Sequence, residues 1–205
     1  MNVIITGASR GIGLELTKLF SEKGDTVLAL ARNITDLSNL NLPNIIPFQF
    51  DLLEDDYTPI LKKIEDWPGI DIIINNAGSI LNKPFTEISN QELNDVYQVN
   101  VFSPFRLIRD LLPYMSPDAH TVNISSVGGV QGSVKFPGLS AYSSSKGALA
   151  ILTECLAQEF SQTKLRFNAL ALGAVQTKML EEAFPGFQAQ IRPEQMAHYI
   201  IGLLF

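Results

Sequence analysis

The chain has 205 residues, a formal net charge of −6, 46% hydrophobic residues and 18% charged residues. This apolar share excludes a disordered chain, because burial of so many Ile, Leu and Val side chains can offset the entropy lost on ordering. The acidic balance disfavours a nucleic-acid-binding surface. The length fits a single domain.

The N-terminal residues and the cysteine content indicate a compartment. Met1 leads directly into Val3-Ile4-Ile5, without the basic and long apolar regions of a signal peptide. No window approaches the ~20 apolar residues that a membrane span requires. The single cysteine, Cys155, lies in an apolar helical pattern, so we expect a buried hydrophobe in a reducing environment rather than a reactive thiol. These features predict a soluble, cytoplasmic protein with no membrane partner and no nucleic-acid partner.

Short β-branched runs alternate with longer helical patterns, which predicts a parallel sheet with helices on both faces. The runs are apolar without alternation, as is typical of strands buried on both sides. The predicted strands cover residues 2–6, 26–31, 45–50, 70–74, 121–125 and 164–171. Helices are predicted to begin near Gly11, Asp55, Asn90 and Ala141, and Pro104 predicts a bend in the third of these. The pattern predicts one three-layer α/β/α domain over residues 1–205.

A glycine-rich turn, Thr6-Gly7-Ala8-Ser9-Arg10-Gly11-Ile12-Gly13, joins the first strand to the first helix. Free N–H groups and the dipole at a helix N-terminus favour a pyrophosphate anion. Gly7 permits the tight turn, Gly11 leaves room for the phosphate, and Gly13 lets the helix pack on the strand. Glycines also mark ordinary turns, but the position between strand and helix favours a dinucleotide site, and the absence of Gly-Lys-Ser/Thr disfavours a P-loop.

The glycine spacing resembles that of the short-chain dehydrogenase/reductase family. Other motifs of that family follow in order: Asn75-Asn76-Ala77-Gly78, Asn100, Asn123-Ile124-Ser125-Ser126 and Tyr142-Ser143-Ser144-Ser145-Lys146. The resemblance extends from about Asn2 to Leu204. It implies a Rossmann-like doubly wound sheet and an oxidoreductase that interconverts a carbonyl and an alcohol by hydride transfer with a nicotinamide cofactor.

The end of the second strand indicates which nicotinamide is bound. An NAD site usually has an acidic residue there to hold the ribose 2′-hydroxyl, but Leu30-Ala31-Arg32-Asn33 contains none, and Asp25 lies at the opposite end. Arg10 and Arg32 suit a doubly negative 2′-phosphate, unless they are simply solvated surface residues. We therefore expect NADP(H) rather than NAD(H), and no metal site.

The resemblance implies further contacts with the cofactor. Ser9 and Ile12 belong to the glycine turn. Asp51 and Leu52 would border the adenine, although an isolated Asp at a strand end is usually only a turn residue. The remaining implied cofactor residues are Asn76, Ala77, Gly78, Tyr142, Lys146, Gly173, Val175 and Thr177. Leu172 stands where the family usually has proline, so we expect slightly looser positioning of the nicotinamide carboxamide.

Tyr142 and Lys146 are four residues apart on a predicted helix and therefore share one face. Tyrosine has a reference pKa of about 10, too high for proton transfer at neutral pH. An ammonium ~4 Å away at an effective dielectric near 20 contributes about 4 kcal/mol, or about 3 pKa units. We therefore expect Lys146 to bring the pKa of Tyr142 towards 7; the alternative is a helix whose tyrosine packs and whose lysine reaches water.

The resemblance implies catalytic roles for four residues. Tyr142 would exchange the proton, Lys146 would tune the phenol and bind the ribose, and Asn100 would hold a water linking the lysine to solvent. Either serine of the pair Ser125-Ser126 could hold the substrate oxygen, and the family pattern favours Ser126. Asn100 could instead satisfy the backbone near the Pro104 bend.

The resemblance also implies a short lid over the substrate at residues 178–192 and a homodimer through helices 90–112 and 141–160. Two alternatives to a small-molecule reductase stay open. One is an NADP(H)-binding sensor on the same fold, against which the complete catalytic set argues. The other is reduction of an acyl-carrier-linked 3-oxoacyl group, for which Arg106 and Arg109 offer only a thin basic docking patch.

Overall fold

The computed structural model describes residues 1–54 and 56–204. Within them, six parallel strands form one sheet in the order β3-β2-β1-β4-β5-β6. The strands are β1 (Asn2–Thr6), β2 (Thr26–Ala31), β3 (Ile45–Gln49), β4 (Ile70–Asn75), β5 (Met115–Ser126) and β6 (Arg166–Leu172). The helices are α1 (Gly11–Glu22), α2 (Thr35–Asn39), α3 (Thr58–Lys63), α4 (Asn90–Tyr97), α5 (Ser103–Leu111), α6 (Ser140–Glu159), α7 (Lys178–Ala183) and α8 (Pro193–Leu204).

Alternate residues of each central strand enter two separate cores. In β1, Val3 and Ile5 pack with side chains of α1 and α8, whereas Ile4 packs on the other face with side chains of α3 and α5. Residues that point to both faces of a buried strand must all be apolar. This explains the continuous apolar runs in the sequence and confirms the predicted single-domain, three-layer α/β/α fold.

The sheet order reverses at β1, which pairs with β2 on one side and β4 on the other. Helices that follow strands on opposite sides of such a point diverge and leave a crevice at the carboxyl ends of the strands. The glycine turn after β1 and the Asn76 loop after β4 both begin at this crevice.

Some element boundaries differ from the predictions. Strand β5 begins at Met115 rather than at 121, because the first part pairs with β4 through a register shift between Ile70 and Ile72. The polar residues of this irregular part break the apolar run on which the prediction depended. The predicted helix start near Asp55 lies outside the described residues, and α3 begins at Thr58.

The helical pattern is interrupted just before Pro104, the residue at which the sequence predicts a bend. A π-helical turn, Gln98–Phe102, separates α4 from α5. Pro104 has no N–H, so the α-helical ladder cannot pair residue 104 with the carbonyl of Asn100. The α-helical hydrogen-bond ladder is therefore broken between Asn100 and Pro104, next to the π-helical turn.

The predicted burial of Cys155 is wrong, since the cysteine is exposed on α6. It lies two residues from the buried Thr153, about 200° away around the helix axis at 100° per residue. Among the described helices, none combines the length and the apolar character that a bilayer crossing requires.

Candidate active site

A cavity of about 1060 Å³ opens at the carboxyl ends of the strands. It is lined by the glycine turn, the ends of five strands, the start of α6 and the segment around α7. Most residues that the sequence nominated line this cavity: Gly7, Ser9, Arg10, Gly11, Ile12, Arg32, Asp51, Leu52, Asn76, Ala77, Gly78, Ser126, Tyr142, Lys146, Gly173, Val175 and Thr177. Gly13 and Asn100 are buried behind the residues that line the cavity, so neither is exposed to it.

Each glycine of the turn has its own steric reason. Gly7 has a φ of +65°, and a Cβ there would lie 2.9 Å from the Cα of Ala77. A Cβ on Gly13 would lie 2.3 Å from the carbonyl oxygen of Gly7, closer than atoms can pack. Gly11 has a φ of +57° and faces the Thr177 side chain, which a Cβ would approach to 3.3 Å. The three positions keep backbone N–H groups accessible at the start of α1, a cradle that fits a pyrophosphate.

The loop after β4 is tied to the glycine turn. The amide nitrogen of Asn76 donates to the carbonyl oxygens of Thr6 at 3.0 Å and Gly7 at 3.2 Å. The backbone N–H of Ala77 donates to the Thr6 hydroxyl at 3.0 Å. These bonds hold the two walls of the crevice together, so Asn76 positions the turn as well as lining the cavity.

Tyr142 and Ser126 meet inside the cavity. The Tyr142 phenol and the Ser126 hydroxyl line the same cavity and lie close enough for Ser126 to affect the pKa of the phenol, and the Ser126 oxygen accepts the backbone N–H of Gly128 at 3.2 Å. Burial raises the pKa of Tyr142 above its ordinary value, and the Ser126 hydroxyl opposes that rise. Two hydroxyls from β5 and α6 therefore point at one location, where both can contact a single substrate oxygen.

Lys146 lies one helical turn beyond Tyr142 and is buried. Its amine donates to the carbonyl oxygen of Ile124 at 2.8 Å and lies 6.0 Å from the centre of the Tyr142 ring. Burial lowers the pKa of Lys146 to about 8. The expectation that the lysine alone lowers the pKa of Tyr142 is therefore wrong for the protein without cofactor, because desolvation of the phenol outweighs an amine held by the sheet.

Asn100 is fully buried and every polar atom of its side chain is bonded. Its amide nitrogen donates to the carbonyl oxygen of Ser79 at 2.8 Å and to the Ser145 hydroxyl at 2.9 Å, and its oxygen accepts the N–H of Ser79 at 2.8 Å. A Cβ on Gly78 would lie 3.3 Å from the Lys146 amine and 3.5 Å from the Asn100 oxygen. The π-helical turn, the Gly78 loop and α6 thus meet around the buried lysine.

A chain of polar side chains behind the site was not assigned a role from the sequence. The amide of Asn75 donates to Asn123 at 2.8 Å, and the amide of Asn123 donates to the Thr153 hydroxyl at 2.8 Å. This chain crosses from β4 through β5 to α6 and links the strand ends to the helix that carries Tyr142. The motifs that contain Asn75 and Asn123 were visible in the sequence, but no local pattern pairs them with Thr153.

Near the end of β2, the cavity is lined by Arg32 and by a carboxylate that the sequence analysis had not proposed for the cofactor site. Asp36 of α2 lines the same cavity as Arg32 and Asn33. Asp25 lies at the amino end of the strand, where it accepts the Met1 amine at 2.8 Å. Arg10 of the glycine turn lies 3.7 Å from Glu182 of α7, and both side chains are about half exposed.

The cavity wall also includes apolar side chains from the loops that follow β4 and β5 and from the region of α7. Among them are Ile80, Phe136, Leu180, Phe184 and Phe187. Of these, Leu180, Phe184 and Phe187 lie in the predicted lid, and Phe136 lies in the long interval between Ser126 and Tyr142, which from the sequence could carry specificity or be a surface insertion. Ile80 had not been proposed, because it lies in no periodic pattern or family motif.

The chain matches the short chain dehydrogenase family over residues 1–187. Carbonyl reductase (NADPH) 2 of Sus scrofa is 30% identical over 181 residues, which cover 87% of this chain and 73% of that protein. The 3-oxoacyl-(acyl-carrier-protein) reductase FabG of Thermotoga maritima is 29% identical over 194 residues, covering 87% and 76%.

Solved structures show the same likeness. The 4-hydroxyisoleucine dehydrogenase complexed with NADH superposes with a TM-score of 0.89 at 27% identity, covering 100% of this chain and 90% of that one. A protein of Escherichia coli CFT073 complexed with NADPH superposes with a TM-score of 0.88 at 32% identity, covering 99% and 90%. This chain belongs to the short-chain dehydrogenase/reductase family of oxidoreductases.

Proposed function

We propose that the protein is an NADP(H)-dependent reductase of a small carbonyl compound, or a dehydrogenase of the matching alcohol. The observation that carries the proposal is the Ser126–Tyr142 hydroxyl pair in the same cavity as the glycine turn. A binding protein needs no pair of hydroxyls aimed at one point beside a buried lysine. The cradle formed by Gly7, Gly11 and Gly13 fits the pyrophosphate of a dinucleotide, which when bound supplies or accepts the hydride.

In the reducing direction, Tyr142 donates the proton. Its raised pKa keeps the phenol protonated at neutral pH, which suits proton donation to the carbonyl oxygen as negative charge develops there. Ser126 donates a second hydrogen bond to that oxygen and fixes its position. Together these residues provide the acid and the orientation on the protein side.

Lys146 would support the reaction from its buried position behind the Ser126 and Tyr142 hydroxyls. With a pKa of about 8 its amine is mostly protonated at pH 7 and supplies the positive charge that a developing phenolate requires. Its buried position against Gly78 also places it beside the loop expected to border the cofactor.

Asn100 would complete the path of the proton. Its side chain is fully bonded to Ser79 and Ser145, so a water in the relay would be held by its backbone carbonyl. Pro104 leaves that carbonyl without its α-helical donor.

The preference for NADP(H) rests on charge. Arg10 and Arg32 line the cavity near the end of β2 and suit the 2′-phosphate. The Sus scrofa relative carries NADPH in its name.

The cofactor preference is tested by measuring kcat/KM with NADPH and with NADH for the wild type and for Arg32→Ala. We expect the variant to lose at least about tenfold of the NADPH preference, while the exposed Arg192→Ala, outside the cavity, keeps it. An unchanged ratio in Arg32→Ala would contradict the assignment.

Consumption of NADPH by the purified protein with a panel of aldehydes and ketones tests the reductase itself. Tight NADPH binding with no turnover of any carbonyl or alcohol would favour a sensor instead. Reduction confined to acyl-carrier-protein thioesters would favour the remaining alternative, a reductase of acyl-carrier-linked 3-oxoacyl groups. That outcome needs a basic docking surface, yet Arg109 is paired with Asp110 at 2.7 Å.

We also propose a homodimer through the helices at 90–112 and 141–160. Phe102, Phe105 and Ile151 expose large apolar side chains on these segments. Isolated exposed hydrophobes are common, but several on adjacent helices suit an interface. Light scattering of Phe105→Glu should show a shift from dimer to monomer, and a wild-type protein that is monomeric would end this proposal.

Segment 178–192 is proposed as a lid. Helix α7 begins at Lys178 with Thr177 as its N-cap, and Met179 and Leu180 face the cavity. The ion pair of Glu182 with Arg10 connects this segment to the glycine turn.

A further inference from the structure

Three segments line the part of the cavity next to the reacting hydroxyls. They are the loop at 79–84, the loop at 127–139 and the region 178–187. They contact one another: the Asn82 amide donates to the Ala183 carbonyl at 2.8 Å, and the Lys83 N–H donates to the Gly138 carbonyl at 3.0 Å. The second loop starts directly after Ser126 and ends just before α6, so the three segments surround the place where a substrate would extend away from Tyr142.

These segments present apolar side chains to the cavity. Ile80, Val127, Phe136, Leu180, Phe184 and Phe187 are the principal ones. Phe136 and Phe187 are 55% and 51% exposed although both line a concave surface. Exposed aromatic rings that line a concave pocket are covered when a ligand fills it.

The ionisable side chains of the same segments have partners within the protein, and two of them, Lys178 and Glu182, pair with each other at the cavity wall. Glu182 lies 3.9 Å from Lys178 and 3.7 Å from Arg10. Lys83 is paired with Glu92 at 2.9 Å, outside the cavity. Lys135 donates to the carbonyl of Val130 at 2.7 Å and to the Ser133 hydroxyl at 2.6 Å. Glu181 accepts the Gln176 amide at 2.8 Å. Within the described parts of these segments, every charged side chain therefore has a partner in the protein.

We infer that the substrate is an uncharged ketone or aldehyde whose carbonyl carbon carries an aryl or branched alkyl group; this rests on the proposed function. Burying an unpaired charge in such a pocket is costly, whereas transfer of an apolar group out of water is favourable. The apolar group would lie between Phe136 and the side chains of α7, and the carbonyl oxygen would contact Ser126 and Tyr142.

Matched substrates test this inference. Acetophenone and 4-acetylbenzoate have the same reacting group and differ by one carboxylate. With NADPH, we expect kcat/KM to be at least about tenfold higher for the neutral ketone. Phe136→Ala and Phe187→Ala should raise KM for acetophenone several-fold, and Phe187→Lys should reduce the discrimination against the carboxylate. Phe85→Ala is the matched control, because this ring is 78% exposed and lies outside the cavity.

A binding measurement separates this inference from the proposed function. The alcohols 1-phenylethanol and 4-(1-hydroxyethyl)benzoate cannot transfer a hydride to NADPH, so calorimetry with the NADPH complex reports binding alone. Tighter binding of the neutral alcohol, weakened by Phe136→Ala, would uphold the apolar site even if no ketone were reduced. Preferred reduction or binding of the carboxylate compound would overturn the apolar site while leaving a reductase in place. Equal binding of the two alcohols, or binding of neither, would also overturn the apolar site.

Discussion

The amine of Lys146 is bonded to the carbonyl oxygen of Ile124 at 2.8 Å, and it lies 6.0 Å from the centre of the Tyr142 ring. The lysine is therefore held by a carbonyl of the central sheet, one helical turn from the residue it is expected to assist. This arrangement buries the Lys146 amine behind the two hydroxyls. Its protonation therefore affects the free energy of unfolding as well as catalysis.

Replacing Lys146 by Met should alter how stability depends on pH. The ordinary pKa of 10.5 falls to about 8 in the folded protein, so between these values the unfolded chain binds the proton that the folded chain has released. The free energy of unfolding therefore rises with pH from about 8 to 10.5, and below pH 8 the buried charge costs about 3 kcal/mol. Urea titrations at pH 7, 9 and 10.5 should show a smaller rise for Lys146→Met than for the wild type. An identical pH slope in both proteins would contradict the burial of the charged amine.

Removal of the Tyr142 phenol oxygen should greatly lower the rate of the reaction without unfolding the protein. Tyr142→Phe deletes the proton donor, and we expect kcat to fall by about 10²–10⁴-fold. NADPH affinity should change little, since the glycine turn is untouched. The matched control is Tyr97→Phe, which removes a hydroxyl that bonds Ser144 outside the cavity at 2.9 Å. Retained turnover in Tyr142→Phe would remove the acid role from this residue.

A methyl group at Gly13 should destabilise the protein. The new Cβ would meet the Gly7 carbonyl oxygen at 2.3 Å and the Asn76 amide at 2.5 Å, so the turn must shift away from the helix. We expect a loss of about 1–3 kcal/mol in the free energy of unfolding, together with weaker NADPH binding. Gly202→Ala serves as the comparison, because a Cβ there meets nothing within 4 Å and should stabilise α8 by about 0.5–1 kcal/mol. Equal effects at the two positions would show that steric contact at Gly13 is not the reason for glycine.

Neutralising Glu182 should favour NADPH. Arg10 is shared between this carboxylate and the place expected for the 2′-phosphate. Because the pair is half exposed, the gain is small, and Glu182→Gln should lower KM for NADPH by about two- to threefold. KM for NADH should stay the same, since NADH has no 2′-phosphate. Steady-state kinetics with both cofactors measure this, with Glu194→Gln on α8 as the control; an equal effect on NADH would exclude competition for Arg10.

Local signals were enough to predict the parts of the molecule where neighbouring residues act together. Strands β1 and β2 begin and end where the apolar runs predicted, and a π-helical turn interrupts the helical pattern just before Pro104, where the bend was predicted. The same holds for the glycine turn, because its steric requirements are set by residues close in sequence. Strand β5 was predicted too short, since its first part pairs through a shifted register that no local pattern contains.

The order of residues along the chain thus determined the fold class, the family and the residues that gather at the strand ends. Only the tertiary structure decided the state of those residues. Burial raises the pKa of Tyr142, which the helical spacing alone suggested would fall. The tertiary structure also places Phe136 in the cavity wall and Cys155 on the surface. Desolvation and contacts between distant segments depend on what surrounds a side chain in space, and that information is spread over the whole chain.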